Sequence, residues 1–139
     1  MSAAFILDAS VAMTWLFKEE TTPQSVALLA RLDVETALVP ALWYIELANV
    51  MALAEKKRRI SSIDTASFIS DLGQLAIEVD ADSANRAFTE LLPLCRDHGL
   101  TAYDAVYLDL AIRRRLPLAT LDQALRKAAR KLDVKLLGH

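Results

Sequence analysis

An unbroken apolar segment, residues 5–7, leads directly into the carboxylate of Asp8 and, two residues later, the hydroxyl of Ser10. A strand that is apolar at every position is typical of a parallel sheet, because such a sheet is buried on both faces. The last residue of the strand then lies at the carboxyl edge of the sheet, where open α/β folds bind their ligands. The segment therefore predicts a charged group, Asp8, at the mouth of a crevice.

Short apolar runs alternate with stretches of helical periodicity along the rest of the chain. We predict strands at residues 4–7, 37–39, 75–79, 116–120 and 134–137, and helices at residues 11–17, 22–32, 42–57, 61–72, 82–98, 101–114 and 122–132. Ser10 is a predicted N-cap, Pro93 is expected to kink or divide its helix, and Gly99 to end it. This alternation indicates an α/β fold with a parallel sheet of four or five strands and right-handed crossovers.

Length and composition favour one domain spanning residues 1–139 with a substantial core. The hydrophobic fraction of 54%, with only 3 Gly and 4 Pro, argues against disorder. No apolar run approaches the roughly 18 residues of a membrane span, and we expect neither a signal peptide nor membrane association. The single cysteine, Cys95, excludes an internal disulfide and fits a reducing, cytoplasmic location.

Four acidic residues stand at positions that could bring them together. Asp8 and Asp122 follow predicted strands, Asp104 begins a helix, and Glu46 lies within an otherwise apolar helix. Each also has a purely structural explanation: Asp8 and Asp122 as helix caps, Asp104 in a capping box with Thr101, and Glu46 paired with a basic residue. If the first and fourth strands are neighbours, however, Asp8 and Asp122 share one sheet edge.

A cluster of four carboxylates cannot persist as bare anions. Two carboxylates about 4 Å apart repel each other by roughly 4 kcal/mol at an effective dielectric constant of 20. Such a cluster must bind a cation or take up protons. Oxygen ligands suit Mg²⁺ or Mn²⁺, whereas the two histidines, His98 and His139, are too few and too badly placed for zinc. Mg²⁺ held by carboxylates is suited to phosphodiester chemistry.

Four short motifs occur in a characteristic order, and as a set they resemble the PIN-domain nucleases, more narrowly the VapC toxins of type II toxin–antitoxin pairs. They are Leu7-Asp8-Ala9-Ser10, Glu46-Leu47-Ala48-Asn49, Leu100-Thr101-Ala102-Tyr103-Asp104-Ala105 and Ala119-Thr120-Leu121-Asp122. The resemblance covers nearly the whole chain. It implies a three-layer α/β/α fold and a metal-dependent endoribonuclease that uses Mg²⁺, with Mn²⁺ able to replace it.

The resemblance also implies roles for individual residues. Asp8 and Asp104 match the main metal ligands, with Glu46 a ligand or general base and Asp122 binding through water or at a second metal. Hydroxyls and an amide accompany this catalytic, metal-binding quartet: Ser10, Thr120 and, as an orienting residue, Asn49. Asp109, five residues beyond Asp104, is expected to point away from the site.

The resemblance implies partners as well: a VapB-type antitoxin whose C-terminal segment masks the acidic groove, an RNA substrate and a second copy in a homodimer. Basic residues 56–59 and 113–115 could line the approach of RNA, although solvated helix faces explain them equally well. Two alternatives stay open: a PIN-like module that binds metal and partner without cutting, and a phosphatase or receiver-type domain. A receiver would need a phosphate-accepting aspartate after the third strand, where Asp80 is a poor candidate.

Overall fold

In the computed structural model, which describes residues 2–138, five strands alternate with seven α-helices. The strands are β1 (Ala3–Leu7), β2 (Thr36–Pro40), β3 (Ile77–Asp80), β4 (Leu118–Ala119) and β5 (Leu136–Leu137). The helices are α1 (Ala9–Leu16), α2 (Pro23–Arg31), α3 (Leu42–Lys56), α4 (Ser62–Leu72), α5 (Leu92–His98), α6 (Ala102–Arg114) and α7 (Gln123–Lys131). None of these helices is long and apolar enough to cross a membrane.

The five strands form one parallel sheet in the order β3-β2-β1-β4-β5. From β1 to β3 the chain crosses the sheet in one direction, and from β3 to β5 it crosses in the other. With right-handed crossovers, α1–α4 therefore cover one face and α5–α7 the opposite face. Accordingly, α1 packs against α2 and α3, while α6 packs against α5 and α7. The predicted three-layer α/β/α fold is confirmed.

Strands β2 and β3 lie on one side of β1, and β4 and β5 lie on the other. Strands β1 and β4 are therefore neighbours, which is the condition for Asp8 and Asp122 to share one sheet edge. Leu7 pairs with Ala119 at their carboxyl ends, so that Asp8 and Thr120 emerge side by side. Open α/β sheets bind ligands at such a switch point. In a receiver-type sheet β1 would adjoin β3, whereas here β3 lies at the sheet edge, and the receiver alternative loses its support.

The core is built around β1 and β2 with large side chains from both helical layers. Phe5, Ile6 and Leu38 are fully buried in the strands, and Trp43 of α3 and Tyr107 of α6 are fully buried against them. This burial on both faces explains why β1 is apolar at every position. Asp8 therefore follows a strand that is packed on both faces and shielded from water.

Three local predictions were wrong in informative ways. Ser10 is not the N-cap of α1 but lies in its first turn, because its hydroxyl has tertiary partners. The long helix expected at residues 82–98 is a 3₁₀ turn (Ser83–Arg86), a π-helical turn (Ala87–Leu91) and α5. Pro93, in the first turn of α5, lacks an amide hydrogen and disturbs the preceding turn, as expected. The fourth strand is shorter than predicted, since regular pairing is confined to Leu118–Ala119.

A buried network of ion pairs attaches the irregular segment 83–91 to α6. Asp109 is buried on α6 and accepts hydrogen bonds from Arg86 at 2.7 and 2.9 Å. Arg113, one turn further along α6, donates two bonds to Asp80 at the end of β3. Asp109 therefore points away from the acidic crevice as expected, and Arg113 is committed to an internal ion pair rather than free to bind RNA.

This network predicts a large and specific loss of stability. Asp109→Asn removes the charge that holds the partly exposed guanidinium of Arg86, and we expect the free energy of unfolding to fall by about 2 kcal/mol. Urea unfolding measures this loss. Glu90→Gln, which removes an exposed carboxylate 3.9 Å from Arg86, is the matched control and should change stability by less than about 1 kcal/mol. Equal effects of the two substitutions would contradict the assignment.

Candidate active site

Asp8 is buried at the junction of β1 and α1, and two hydroxyl groups converge on one of its carboxylate oxygens. Ser10 Oγ donates to Asp8 Oδ2 at 2.6 Å, and Thr120 Oγ1 donates to the same atom at 2.7 Å. Each hydroxyl in turn accepts a backbone N–H from the β4–α7 junction, that of Leu121 for Ser10 and that of Asp122 for Thr120. Two short chains of hydrogen bonds therefore fix the Asp8 carboxylate between neighbouring strand ends.

Asp122 has both a structural and a site position. It is the N-cap of α7, and its Oδ1 accepts a hydrogen bond from the Leu125 N–H at 2.8 Å. The structural explanation given by the sequence is thus confirmed for this residue. Because the cap uses one carboxylate oxygen, the second is left for other partners.

Asp104 lies in the first turn of α6, where its backbone N–H donates to the N-cap hydroxyl of Thr101 at 3.2 Å. Glu46 lies on α3, half-buried, and its Oε1 accepts a hydrogen bond from the hydroxyl of Tyr107. Asn49 is exposed on the next turn of α3, and its orienting role stays a prediction.

Tyr107 is a member of the site that the sequence analysis missed. Its ring is fully buried, and it lies three residues after Asp104, so that both side chains share one face of α6. Burial and the nearby charges of Asp8 and Glu46 raise the pKa of its phenol. Tyr107 therefore keeps its proton and donates it in the hydrogen bond to Glu46. The sequence did contain an indication of this role, because a tyrosine three residues after Asp104 lies on the same face of a helix.

The four acids lie near enough to one another for their charges to interact. Burial, followed by the charges of Asp8 and Asp104, raises the pKa of Glu46 to about 7. Burial, followed by the charges of Asp122 and Asp8, raises the pKa of Asp104 to about 6. The pKa of Asp8 is also raised, mainly by burial, although the hydroxyls of Ser10 and Thr120 oppose this. Three of the four predicted acids thus hold protons more tightly than usual.

The chemistry of this donor set fits a hard divalent cation. Burial and, to a smaller extent, mutual repulsion favour protonation of Asp8, Glu46 and Asp104. A bound metal ion would compensate their charges as protons do, and oxygen donors suit Mg²⁺ or Mn²⁺. Among residues 2–138, no three His, Cys, Asp or Glu side chains are grouped closely enough to hold a metal ion together. A site for Mg²⁺ does not require such a group, because proteins usually bind this ion through one or two carboxylates and leave water as its remaining ligands.

Comparison with known proteins assigns the family. The family model described as "PIN domain" matches residues 5–131, which is most of the chain. The chain belongs to the PIN-domain family. The matched residues include all four acids of the cluster in this PIN domain. A search of curated protein sequences gave no significant match.

Solved structures share the fold of this PIN domain at low sequence identity. The structure of VapBC2 from Rickettsia felis, bound to a DNA fragment from its promoter, is 17% identical to this chain, with a TM-score of 0.66 and 96% coverage of both chains. FitAcB from Neisseria gonorrhoeae has 22% identity, a TM-score of 0.65 and 96% coverage of both chains. PAE2754 from Pyrobaculum aerophilum has 19% identity and a TM-score of 0.63, covering 92% of this chain and 86% of its own.

The raised pKa of Glu46 predicts how stability depends on pH in the absence of metal. Between pH 4.5 and about 7 the folded chain holds the Glu46 proton while the unfolded chain releases it. Stability should therefore fall as the pH rises through this interval. Urea unfolding in EDTA at several pH values should show this decline, and Glu46→Gln should make it shallower.

Glu78→Gln, on the exposed edge strand β3, controls for the loss of one negative charge. A pH profile of Glu46→Gln that runs parallel to that of the wild type would contradict the predicted proton uptake.

Proposed function

We propose that this PIN domain is a metal-dependent endoribonuclease and the toxin of a toxin–antitoxin pair. The observation that carries the proposal is the acid cluster around Asp8, placed where β1 and β4 separate and where α/β sheets bind ligands. Membership of the PIN-domain family supports nuclease activity. The proposal takes residues 1–139 as a single PIN domain acting in the cytoplasm.

We assign the metal-binding role chiefly to Asp8 and Asp104. The hydroxyls of Ser10 and Thr120 hold the Asp8 carboxylate in one orientation and favour its charged form. Asp122 contributes through water or at a second metal, and Asn49 orients the groove. When bound, Mg²⁺ would activate a water molecule and neutralise charge on the phosphate.

Glu46 is the proposed general base. In the metal-free protein the pKa of Glu46 is raised to about 7, and a cation bound by the neighbouring acids would lower it, so that the charged, proton-accepting form prevails at neutral pH. Glu46 would take a proton from the attacking water as the new bond to phosphorus forms, and the phosphorus–oxygen bond to the leaving ribose oxygen would break. Tyr107 would act as a positioning residue, because its hydroxyl orients the Glu46 carboxylate.

The proposed partner is a VapB-type antitoxin, and the second copy in a homodimer is part of the same proposal. The fold similarity to VapBC2 and FitAcB supports a toxin–antitoxin assembly. An acidic crevice of this kind would accept a basic segment of the antitoxin, whose binding would exclude RNA.

RNA cleavage tests the proposed activity. Purified protein incubated with structured RNAs and Mg²⁺ or Mn²⁺ should produce internal cuts that EDTA abolishes. Asp8→Asn should reduce the rate at least about 100-fold, since a catalytic metal contributes several kcal/mol to transition-state stabilisation. Asp33→Asn, exposed in the turn before β2, is the control and should cut like the wild type.

Equal cutting by the wild type and Asp8→Asn would refute the assignment. Metal binding without any cleavage would instead favour the alternative of a PIN-like module that binds metal and partner.

Metal binding can be measured independently of cleavage. A ligand that binds only the folded state at about 100 times its Kd stabilises that state by roughly 2.7 kcal/mol. Saturating Mn²⁺ or Mg²⁺ should therefore raise the Tm of the wild type and of Asp33→Asn by several degrees. The double variant Asp8→Asn/Asp104→Asn should show no such rise; a normal rise would mean that these residues are not the ligands.

A further inference from the structure

A second groove lies beside the acid cluster, between α5 and α7. It has a volume of about 240 Å³ and is lined by Asp97, His98, Ala124, Lys127, Ala128 and Lys131. The Nδ1 atom of His98 is buried there and has no hydrogen-bond partner among residues 2–138. This atom is enclosed by protein and does not open on the groove, so the charged groups of the groove are the two lysine ammoniums and the Asp97 carboxylate.

The groove begins where two of the acids lie. Ala124 comes two residues after Asp122, and His98 comes three residues before Thr101, the cap of the helix that carries Asp104. Helices α6 and α7 pack against each other, and the charges of Asp104 and Asp122 at their starts interact, so these two helix starts are neighbours. From Ala124 to Lys131, α7 rises about 10 Å. The groove therefore leads away from the acid cluster along α7.

The surface of α7 is strongly basic, with four cationic residues and no acidic one among Gln123–Lys131. Arg126 is buried and donates to the carbonyl of Thr120 at 2.6 Å, behind the acid cluster. Lys127, Arg130 and Lys131 are exposed, and none of them forms an ion pair with another of the described residues. Only the Asp97 carboxylate opposes Lys127 and Lys131 within the groove.

The other basic clusters are less suited to bind a polyanion. Arg59 pairs with Glu19 and Glu20, and Arg113 pairs with Asp80. Residues 56–59 also follow the C-terminal end of α3, roughly 15 Å of helix beyond Glu46. Among the described residues, α7 thus offers a basic surface that adjoins the acid cluster, and the exposed cations of this surface form no ion pair.

We propose that the α5–α7 groove binds backbone phosphates of the RNA strand next to the phosphate that is cut. This inference rests on the proposed ribonuclease function and adds the path of the substrate. An acidic crevice repels RNA, and fixed cations a short distance away can supply the attraction that the crevice lacks. Lys127 and Lys131, one turn apart on α7, are the phosphate-binding residues, and the His98 ring borders the same path.

RNA affinity as a function of salt concentration tests the groove. A short fluorescein-labelled single-stranded RNA is titrated with protein in an Asp8→Asn background, so that it is not cut. Lys127→Gln/Lys131→Gln should weaken binding about 10-fold at physiological salt. It should also reduce the slope of log affinity against log salt by about 1.4, which corresponds to two lost phosphate contacts on a single strand.

The matched control is Lys18→Gln/Lys135→Gln, which removes the same charge from two exposed lysines that do not line the groove, one in the turn after α1 and one directly before β5. It should retain the affinity within about twofold and keep the full salt slope. Equal losses in the two double variants, or an unchanged slope in Lys127→Gln/Lys131→Gln, would overturn the inference. The inference would also be overturned if Lys127→Gln/Lys131→Gln kept its affinity for RNA but lost affinity for polyglutamate. The groove would then be assigned to an acidic protein segment.

Cleavage kinetics separate this inference from the proposed function. If the wild type cuts RNA and Lys127→Gln/Lys131→Gln cuts with an unchanged KM, the groove assignment fails and the nuclease stands. If the wild type cuts no RNA although the double variant loses RNA affinity and salt dependence, the nuclease fails and the groove stands.

Discussion

The burial of one carboxylate, that of Asp8, is the constraint on which the rest of the site depends. A buried acid is unfavourable unless hydrogen bonds or a counter-charge compensate it. Here the hydroxyls of Ser10 and Thr120 supply the hydrogen bonds, and both are themselves held by backbone amides of the β4–α7 junction. The compensation of one charge thereby fixes how two strand ends and two helix starts meet. Glu46 and Asp104 lie beside this fixed charge, and burial together with the neighbouring carboxylates raises the pKa of both.

Those parts of the fold that depend on local pattern could be predicted from the sequence. The parallel sheet and the position of Asp122 as a cap follow from apolar periodicity and capping chemistry, whereas the adjacency of β1 and β4 was only a condition of the site hypothesis and is supplied by the structure. Ser10 was misassigned because a local rule for N-caps competed with a partner more than a hundred residues away. The Arg86–Asp109 pair and the Tyr107–Glu46 hydrogen bond were missed for the same reason. Long-range pairing of polar groups leaves no periodic trace in a sequence.

The basic residues divide according to their chemistry. The paired cations are arginines, and Arg86 and Arg113 each reach buried carboxylates with two nitrogen atoms. A planar guanidinium suits this bidentate geometry, whereas the ammonium of lysine is a strongly hydrated point charge that adapts to flexible phosphates. Within residues 2–138, several arginines, Arg130 of α7 among them, form no ion pair, but no lysine takes part in one, and the exposed lysines of α7 suit a mobile polyanion better than the internal framework.

The hydrogen bond between Tyr107 and Glu46 has a mechanical consequence. Glu46 belongs to the helical layer on one face of the sheet and Tyr107 to the layer on the other, so that this bond joins the layers beyond the carboxyl edge. The separation between the Asp104-bearing helix and the Glu46-bearing helix is then set by a rigid aromatic ring rather than by a flexible loop. A molecule that pushed these two helices apart would move Glu46 away from Asp104 while Asp8 and Asp122 stayed fixed at the paired strand ends, so it would disrupt the acid cluster without touching it.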